Sequence, residues 1–169
     1  MMKLILENWR QFLTEAAKSI KDLPEDTSVT LEKGADIFLI EVGDIGYIQA
    51  RLVKNCGRGK VYGVVDVGAD PGWGPLLYDI AMEYASFIGD GLTPDKEMTV
   101  ADAAVPIWQY YASEKRSDVE KAALPPDCPK TRLVSGEEPP GYLHLVYKKP
   151  TRNIIRALRQ LGKWEIIRT

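Results

Sequence analysis

The stretch GADPGWGPLLYD, residues 68–79, contains residue types that could bind a ligand directly. It follows a hydrophobic run at residues 61–67 and precedes a helical pattern of apolar residues. Gly72 and Gly74 allow the backbone to approach an anion closely, and Pro75 suits the first turn of a helix. The unpaired N–H groups and the dipole of a helix start attract negative charge. The stretch therefore predicts either an anion-binding loop or a plain strand-to-helix turn in which glycine and proline serve geometry alone.

Two common phosphate-binding loops are excluded by the residues that follow. A dinucleotide-binding G-x-G-x-x-G motif needs glycine at the position of Leu77. A P-loop needs Gly-Lys followed by Ser or Thr, which the stretch GWGPLLYD does not contain. Any anion bound here would belong to a third kind of loop.

The longer segment VVDVGADPGWGPLLYDIAMEYAS resembles motif A of the GNAT superfamily of acyl-CoA-dependent N-acyltransferases. That motif consists of a central strand, a loop Gln/Arg-x-x-Gly-x-Gly/Ala, and a helix. The next segment, GLTPDKEMTVADAAVPIWQYY, is similar to the family's fifth strand and following helix, so the resemblance covers residues 27–112. It implies acetyl transfer from acetyl-CoA to an amine. It also implies a pyrophosphate site formed by Val67, Gly72, Trp73, Gly74, Pro75 and Leu76.

The sequence departs from the family pattern at two positions. Ala69 stands at the Gln/Arg position of the loop, and Trp108 stands where the family often has the tyrosine that protonates the departing CoA thiolate. Tyr111, or the adjacent Tyr110, is the candidate replacement for that acid. Asp66, on the strand that enters the loop, is the candidate base for the amine, with Glu41 as the weaker choice. The departures leave open a non-catalytic relative on the same fold.

A basic helix near the C-terminus supports a different class of function. The side chains of Arg152, Arg156, Arg159 and Lys163 form one stripe, opposite an apolar stripe that includes Ile155. The stripe could contact the 3′-phosphate of CoA or nucleic-acid phosphates, or it could be a solvated helix face. A nucleic-acid-binding protein and a structural or interaction protein are therefore the alternatives to an enzyme. The opening LILENWRQFLTEA resembles those of uncharacterised proteins from marine tailed phages.

The composition leads to expectations about metal binding, redox compartment and membrane association. The 169 residues carry a net charge of −2 and include two cysteines and one histidine. These are too few for a Cys/His zinc site or a disulfide framework, so we expect no metal and free thiols at Cys56 and Cys128 in a reducing cytoplasm, that of the host if the protein is viral. No apolar run is long enough to span a membrane, so a soluble protein is expected. The oligomeric state stays open, a homodimer included.

The hydrophobic pattern predicts the elements that would position these residues. An amphipathic helix is expected over residues 3–20, and three hairpin-linked strands are expected in SVTLEK, DIFLIEVG and GYIQARLV. VYGVVDV is typical of a buried strand. The clearest helix spans residues 76–88, with Asp79, Glu83 and Ser86 on its outer face.

The second half continues as an alternation of strands and helices. LTP is compatible with a short strand, and Thr99 with Asp102 resembles a capping box before the next helix. Five prolines make residues 117–141 a predicted extended loop. YLHLVYKK predicts a strand, residues 151–161 predict a helix, and KWEIIR is compatible with a last strand. The whole chain, residues 1–169, is thus predicted to form one α/β (α+β) domain with a mixed, mostly antiparallel sheet flanked by helices, similar to the acyl-CoA N-acyltransferase fold.

Overall fold

The computed structural model describes residues 18–168, and the predicted helix over residues 3–20 lies almost entirely outside them. Within the described part, Ser19 caps a short 3₁₀ helix at Ile20–Asp22. The fold is mixed α+β, and residues 18–168 form an eight-stranded and mostly antiparallel sheet, a separate pair of short strands, and three α-helices. The strands are β1 (Val29–Lys33), β2 (Ile37–Val42), β3 (Gly46–Leu52), β4 (Val61–Ala69), β5 (Gly91–Pro94), β6 (Thr99–Val100), β7 (Glu120–Ala123), β8 (Arg132–Leu133), β9 (Leu145–Lys148) and β10 (Trp164–Arg168). The helices are α1 (Gly74–Ile88), α2 (Val105–Ala112) and α3 (Asn153–Gln160).

The large sheet has the strand order β10-β1-β2-β3-β4-β5-β9-β7. The predicted hairpins are confirmed, since β1 to β4 pair antiparallel in sequence order. Two pairs are parallel: β4 with β5, and β1 with β10. The first requires the crossover that α1 supplies. β4 and β5 therefore end at the same edge of the sheet, where ligands bind in many α/β folds.

Helix α1 begins at Gly74 and ends at Ile88, close to the predicted span. Its apolar positions pack on the sheet, and Leu77, Ile80 and Ala81 are buried. The predicted outer face is wrong, because Glu83 is fully buried, the Asp79 carboxylate pairs with Arg116, and the Ser86 hydroxyl accepts a hydrogen bond from the backbone N–H of Lys149. Helix α3 and the segment before β7 cover that side of α1.

The proline-rich segment 117–141 contains more structure than the predicted loop. β7 pairs antiparallel with β9, and β8 pairs parallel with β6. The prolines lie outside these two short strands, so they end the pairing without preventing it. The predicted capping box is also wrong, because Thr99 belongs to β6 and Ala101 precedes the 3₁₀ turn that leads into α2.

Cys56 and Cys128 form a disulfide, which corrects the expectation of two free thiols. Both residues are buried in a small core of their own with Val53, Leu124 and Val146, apart from the main core between the sheet and the helices. The backbone N–H of Gly57 also donates to the carboxylate of Asp127, at 3.0 and 3.2 Å from its two oxygens. Together these contacts join the β3–β4 loop to the segment after β7.

No helix among residues 18–168 is both long enough and apolar enough to cross a lipid bilayer.

Candidate functional site

A cavity of about 270 Å³ lies where β4 and β5 separate. Pairing between these parallel strands ends at Val64 and Pro94, although β4 continues to Ala69. Val64 and Val65 of β4, Tyr78 of α1 and Trp108 of α2 line the cavity. The cavity is therefore enclosed by the three elements that the parallel β4–β5 unit brings together.

The backbone of β4 beside this cavity is paired on one side. Residues 66–69 pair with β3, but residues 65–69 have no strand partner on the β5 side among the described residues. Val65 is an extra residue in the β3–β4 register, because Ala50 pairs with Val64 and Gln49 pairs with Asp66. Such a bulge leaves main-chain groups outside the ladder. An extended ligand that carries amide groups could complete this edge in the way an added strand does.

Asp95 brings a carboxylate to the same cavity. It follows β5 directly, lines the cavity, and is 8% exposed. Its Oδ1 accepts a hydrogen bond of 3.0 Å from the backbone N–H of Glu97. Burial is the main effect on its carboxyl group and raises the pKa above the usual value for aspartate. A carboxylate held in this way is a better proton acceptor than one in water.

Asp95 is not among the site residues predicted from the sequence, although the sequence contains a signal for it. LTP was compatible with a strand, and Asp95 is the second residue after Thr93. Because the carboxyl ends of adjacent parallel strands meet at one edge, a polar residue directly after that strand was a candidate. The missing step was the parallel pairing of β4 with β5.

The predicted pyrophosphate loop lies at the start of α1 but is largely covered. Gly72, Gly74, Pro75 and Leu76 are buried, and Trp73 is half-buried. Gly72 has φ of 85°, which favours glycine, and its carbonyl accepts a hydrogen bond of 3.0 Å from the backbone N–H of Lys18. No side chain caps the helix start among the described residues. The loop itself contains no basic residue, so only its backbone N–H groups could attract an anion.

Val67, also predicted to contact the cofactor, is fully buried on the face of the sheet that α1 covers. Only its backbone is placed to contact a ligand between β4 and β5. Tyr111 is fully buried on α2, and its hydroxyl donates to the carbonyl of Pro75 and to Oδ1 of Asp79, both at 3.2 Å. It does not line the cavity, and burial raises its pKa well above the ordinary value. This position favours a role in joining α2 to α1 over the predicted role as an acid.

Asp66 lies on the opposite face of the sheet from the cavity. In the β3–β4 register it is opposite Gln49, whereas the buried Val67 is opposite Ile48. Burial, followed by the neighbouring Asp66 carboxylate, raises the pKa of the Tyr47 hydroxyl. The structure thus separates Asp66 from Tyr111 and does not bring the two predicted catalytic residues together. A role of Asp66 as base stays a prediction.

Lys96, the residue after Asp95, is a buried amine. It is 6% exposed, and its Nζ donates to Thr131 Oγ1 and, at 2.8 Å, to the carbonyl of Leu143. These acceptors are uncharged, and no carboxylate forms an ion pair with Lys96 among the described residues. Burial lowers the pKa of Lys96 to about 7, against a smaller opposing effect of Asp95.

This amine should make stability depend on pH in the alkaline range. Between pH 7 and 10.5 the unfolded chain keeps a proton on Lys96 that the folded chain has lost, so the free energy of unfolding should rise with pH. The slope is at most about 1.4 kcal/mol per pH unit. Urea unfolding at several pH values from neutral to mildly alkaline should show the slope in the native protein and not in Lys96→Met. Lys115→Met, which changes an exposed lysine, should keep it. Equal slopes in the native protein and Lys96→Met would contradict this assignment.

Among the described residues, no group of three or more His, Cys, Asp or Glu side chains is arranged to hold a metal ion. Comparison of the chain with family models, with curated proteins and with solved structures finds no match. A function for this chain is therefore inferred from the geometry between β4 and β5.

Proposed function

We propose that this protein is an acyl-CoA-dependent N-acyltransferase with an acyl-CoA N-acyltransferase fold, and that it transfers an acetyl group from acetyl-CoA to an amine. The observation that carries the proposal is the separation of the parallel strands β4 and β5 after Val64 and Pro94, with a cavity at that point. The CoA arm contains two amide groups, and these can form hydrogen bonds with the backbone of β4 where it has no strand partner. The resemblance of residues 27–112 to the GNAT superfamily supports the same function.

In this proposal the chain acts mainly by positioning two reactants. The thioester carbonyl lies beside β4, where a main-chain N–H near Val65 stabilises the oxyanion. Asp95 takes the proton from the acceptor ammonium, and the free amine attacks the carbonyl carbon. The C–N bond forms and the C–S bond breaks, and the second proton that the nitrogen loses passes to the departing thiolate, so CoA leaves as the free thiol. Holding amine and thioester together supplies most of the rate gain.

The proposal is tested first by binding. Acetyl-CoA at millimolar concentration should raise the melting temperature, because a ligand at 100 times its dissociation constant adds about 2.7 kcal/mol to stability. Ala101→Leu narrows the cavity and should weaken this effect, whereas Ala123→Leu, on exposed β7, should not. An unchanged melting temperature in the native protein would rule out acetyl-CoA as a ligand.

Turnover is tested with Asp95→Asn, which keeps a hydrogen-bond acceptor for the N–H of Glu97. Release of free CoA thiol in the presence of a panel of amines should fall by about 10²–10⁴ in this variant. The rise in melting temperature with acetyl-CoA should be retained. Binding without turnover in the native protein would instead indicate a non-catalytic relative on the same fold.

A further inference from the structure

A second pocket, of about 90 Å³, lies at the other end of α1. It is formed by the last turn of α1, by α3, and by the neighbouring strands β1 and β10. Since α1 has 15 residues, its two ends are roughly 20 Å apart at 1.5 Å per residue. The pocket is therefore separate from the cavity between β4 and β5 and from the loop at the start of α1.

The lining of this pocket is strongly positive. Lys33, Arg152 and Arg159 contribute three positive charges, and no carboxylate lines it among the described residues. None of these three cations takes part in the ion pairs found within residues 18–168. The net charge of the chain is −2, so the positive charge of this lining is opposite in sign to that of the chain as a whole.

One of the three cations is positioned by an aromatic ring, while Lys33 and Arg159 are exposed at the pocket. The guanidinium of Arg152 stacks on the ring of Phe87, with Cζ 4.0 Å from the ring centroid, so its position is fixed while its N–H groups stay available. Trp164 also lines the pocket, and its indole N–H is buried without an acceptor among the described residues. A buried donor without an acceptor is costly, and a small movement of the indole that brings its N–H to an anion in the pocket would remove that cost.

The size and the rim of the pocket define the ligand further. A volume of about 90 Å³ accommodates a compact head group and not a nucleotide. Phe87 is 56% exposed and Ile166 is 46% exposed at the rim, where they can contact an apolar body attached to that head group. Three positive charges match a phosphate monoester, which carries a charge of about −1.5 to −2 at neutral pH, better than a carboxylate.

We propose that the pocket between α1, α3, β1 and β10 binds the phosphate group of a monoester with an apolar or aromatic body, through Lys33, Arg152, Arg159 and the indole N–H of Trp164. Such a phosphate could be part of a free small molecule or the terminal phosphate of an oligonucleotide. The chemistry of recognition is the same in both cases, so the experiment includes both sources.

The direct readout is the indole N–H signal of Trp164 in a ¹H–¹⁵N NMR spectrum, assigned with Trp164→Phe. Titration with phenyl phosphate to millimolar concentration should move this signal with saturation, and inorganic phosphate should bind more weakly because it lacks the aromatic body. Arg159→Gln should weaken phenyl phosphate binding about tenfold. Arg156→Gln removes an equal charge from the same helix, but Arg156 is exposed and does not line the pocket. The Arg156→Gln variant should bind phenyl phosphate as tightly as the native protein does.

A single-stranded oligonucleotide with a 5′-phosphate, compared with the same strand ending in a 5′-hydroxyl, distinguishes the sources. A shift of the Trp164 signal with the 5′-phosphorylated strand, and no shift with the 5′-hydroxyl strand, would support the site and assign the phosphate to a strand end. A shift with phenyl phosphate and with neither strand would support a small-molecule ligand. Equal binding of both strands, weakened alike by Arg156→Gln and Arg159→Gln, would overturn the proposal in favour of a general polyanion surface. No movement of the Trp164 signal with any probe would also overturn it.

Discussion

Removal of the disulfide between Cys56 and Cys128 is expected to lower the free energy of unfolding by about 4 kcal/mol. The bond joins residues 72 positions apart, so it closes a loop that contains β4, α1, β5 and α2. A cross-link over a long loop strongly reduces the conformational entropy of the unfolded chain. The folded state is therefore stabilised relative to the unfolded state. Both cysteines are also buried, so each substitution changes packing in the small core around Leu124.

The measurement is urea unfolding of the double variant Cys56→Ala, Cys128→Ala beside the native protein. The midpoint should fall to a similar extent in the native protein treated with a reductant, and the reductant should leave the double variant unchanged. Thiol titration of unfolded, unreduced native protein should find no free cysteine. Two free thiols in that sample, or equal midpoints for the oxidised protein and the double variant, would contradict the prediction.

The elements that the sequence predicts well are those whose signal lies within one segment. The apolar repeat from Leu76 to Ile88 is enough to predict α1, because a helix that packs on a sheet needs one continuous apolar face. The run at residues 61–67 predicts β4 for a similar reason, since a central strand is buried on both faces. Hairpin-linked strands are also local, which is why β1 to β3 follow from the pattern and the glycines between them.

The features that the sequence does not predict depend on partners far along the chain. The parallel pairing of β1 with β10 joins Val29 to Trp164, and no local pattern specifies it. Amphipathic reasoning places Glu83 on the outer face of α1, because it assumes that a charge faces water. Burial of that charge is tolerable because Lys149 and the first backbone N–H groups of α3, both distant in the sequence, lie beside it. The candidate site also depends on partners that are distant in the sequence, since Asp95 reaches the cavity only when β5 pairs with β4.

Glu83→Ala is expected to lower the free energy of unfolding by about 3–5 kcal/mol, because it leaves the buried ammonium of Lys149 with only the more distant and exposed carboxylate of Asp118, at 4.0 Å. The Glu83 side chain is fully buried, and its Oε2 lies 3.2 Å from Nζ of Lys149, which is itself only 9% exposed. The same carboxylate accepts hydrogen bonds from the backbone N–H groups of Ile154 and Ile155, at 3.1 and 3.0 Å, at the start of α3. One side chain thus neutralises Lys149 and caps a helix.

A set of variants separates these two roles of Glu83. Glu83→Gln keeps an oxygen for the N–H groups of α3 but loses the charge, so it should destabilise less than Glu83→Ala. Adding Lys149→Met to Glu83→Gln should restore part of the stability, because the buried ammonium that has lost its nearest carboxylate is then gone. Glu114→Ala, at an exposed position, should stay within about 0.5 kcal/mol of the native protein in chemical unfolding. If Glu83→Ala is no more destabilising than Glu114→Ala, the buried pair does not hold α3 against α1, and the basic pocket that α3 helps to form would need another means of support.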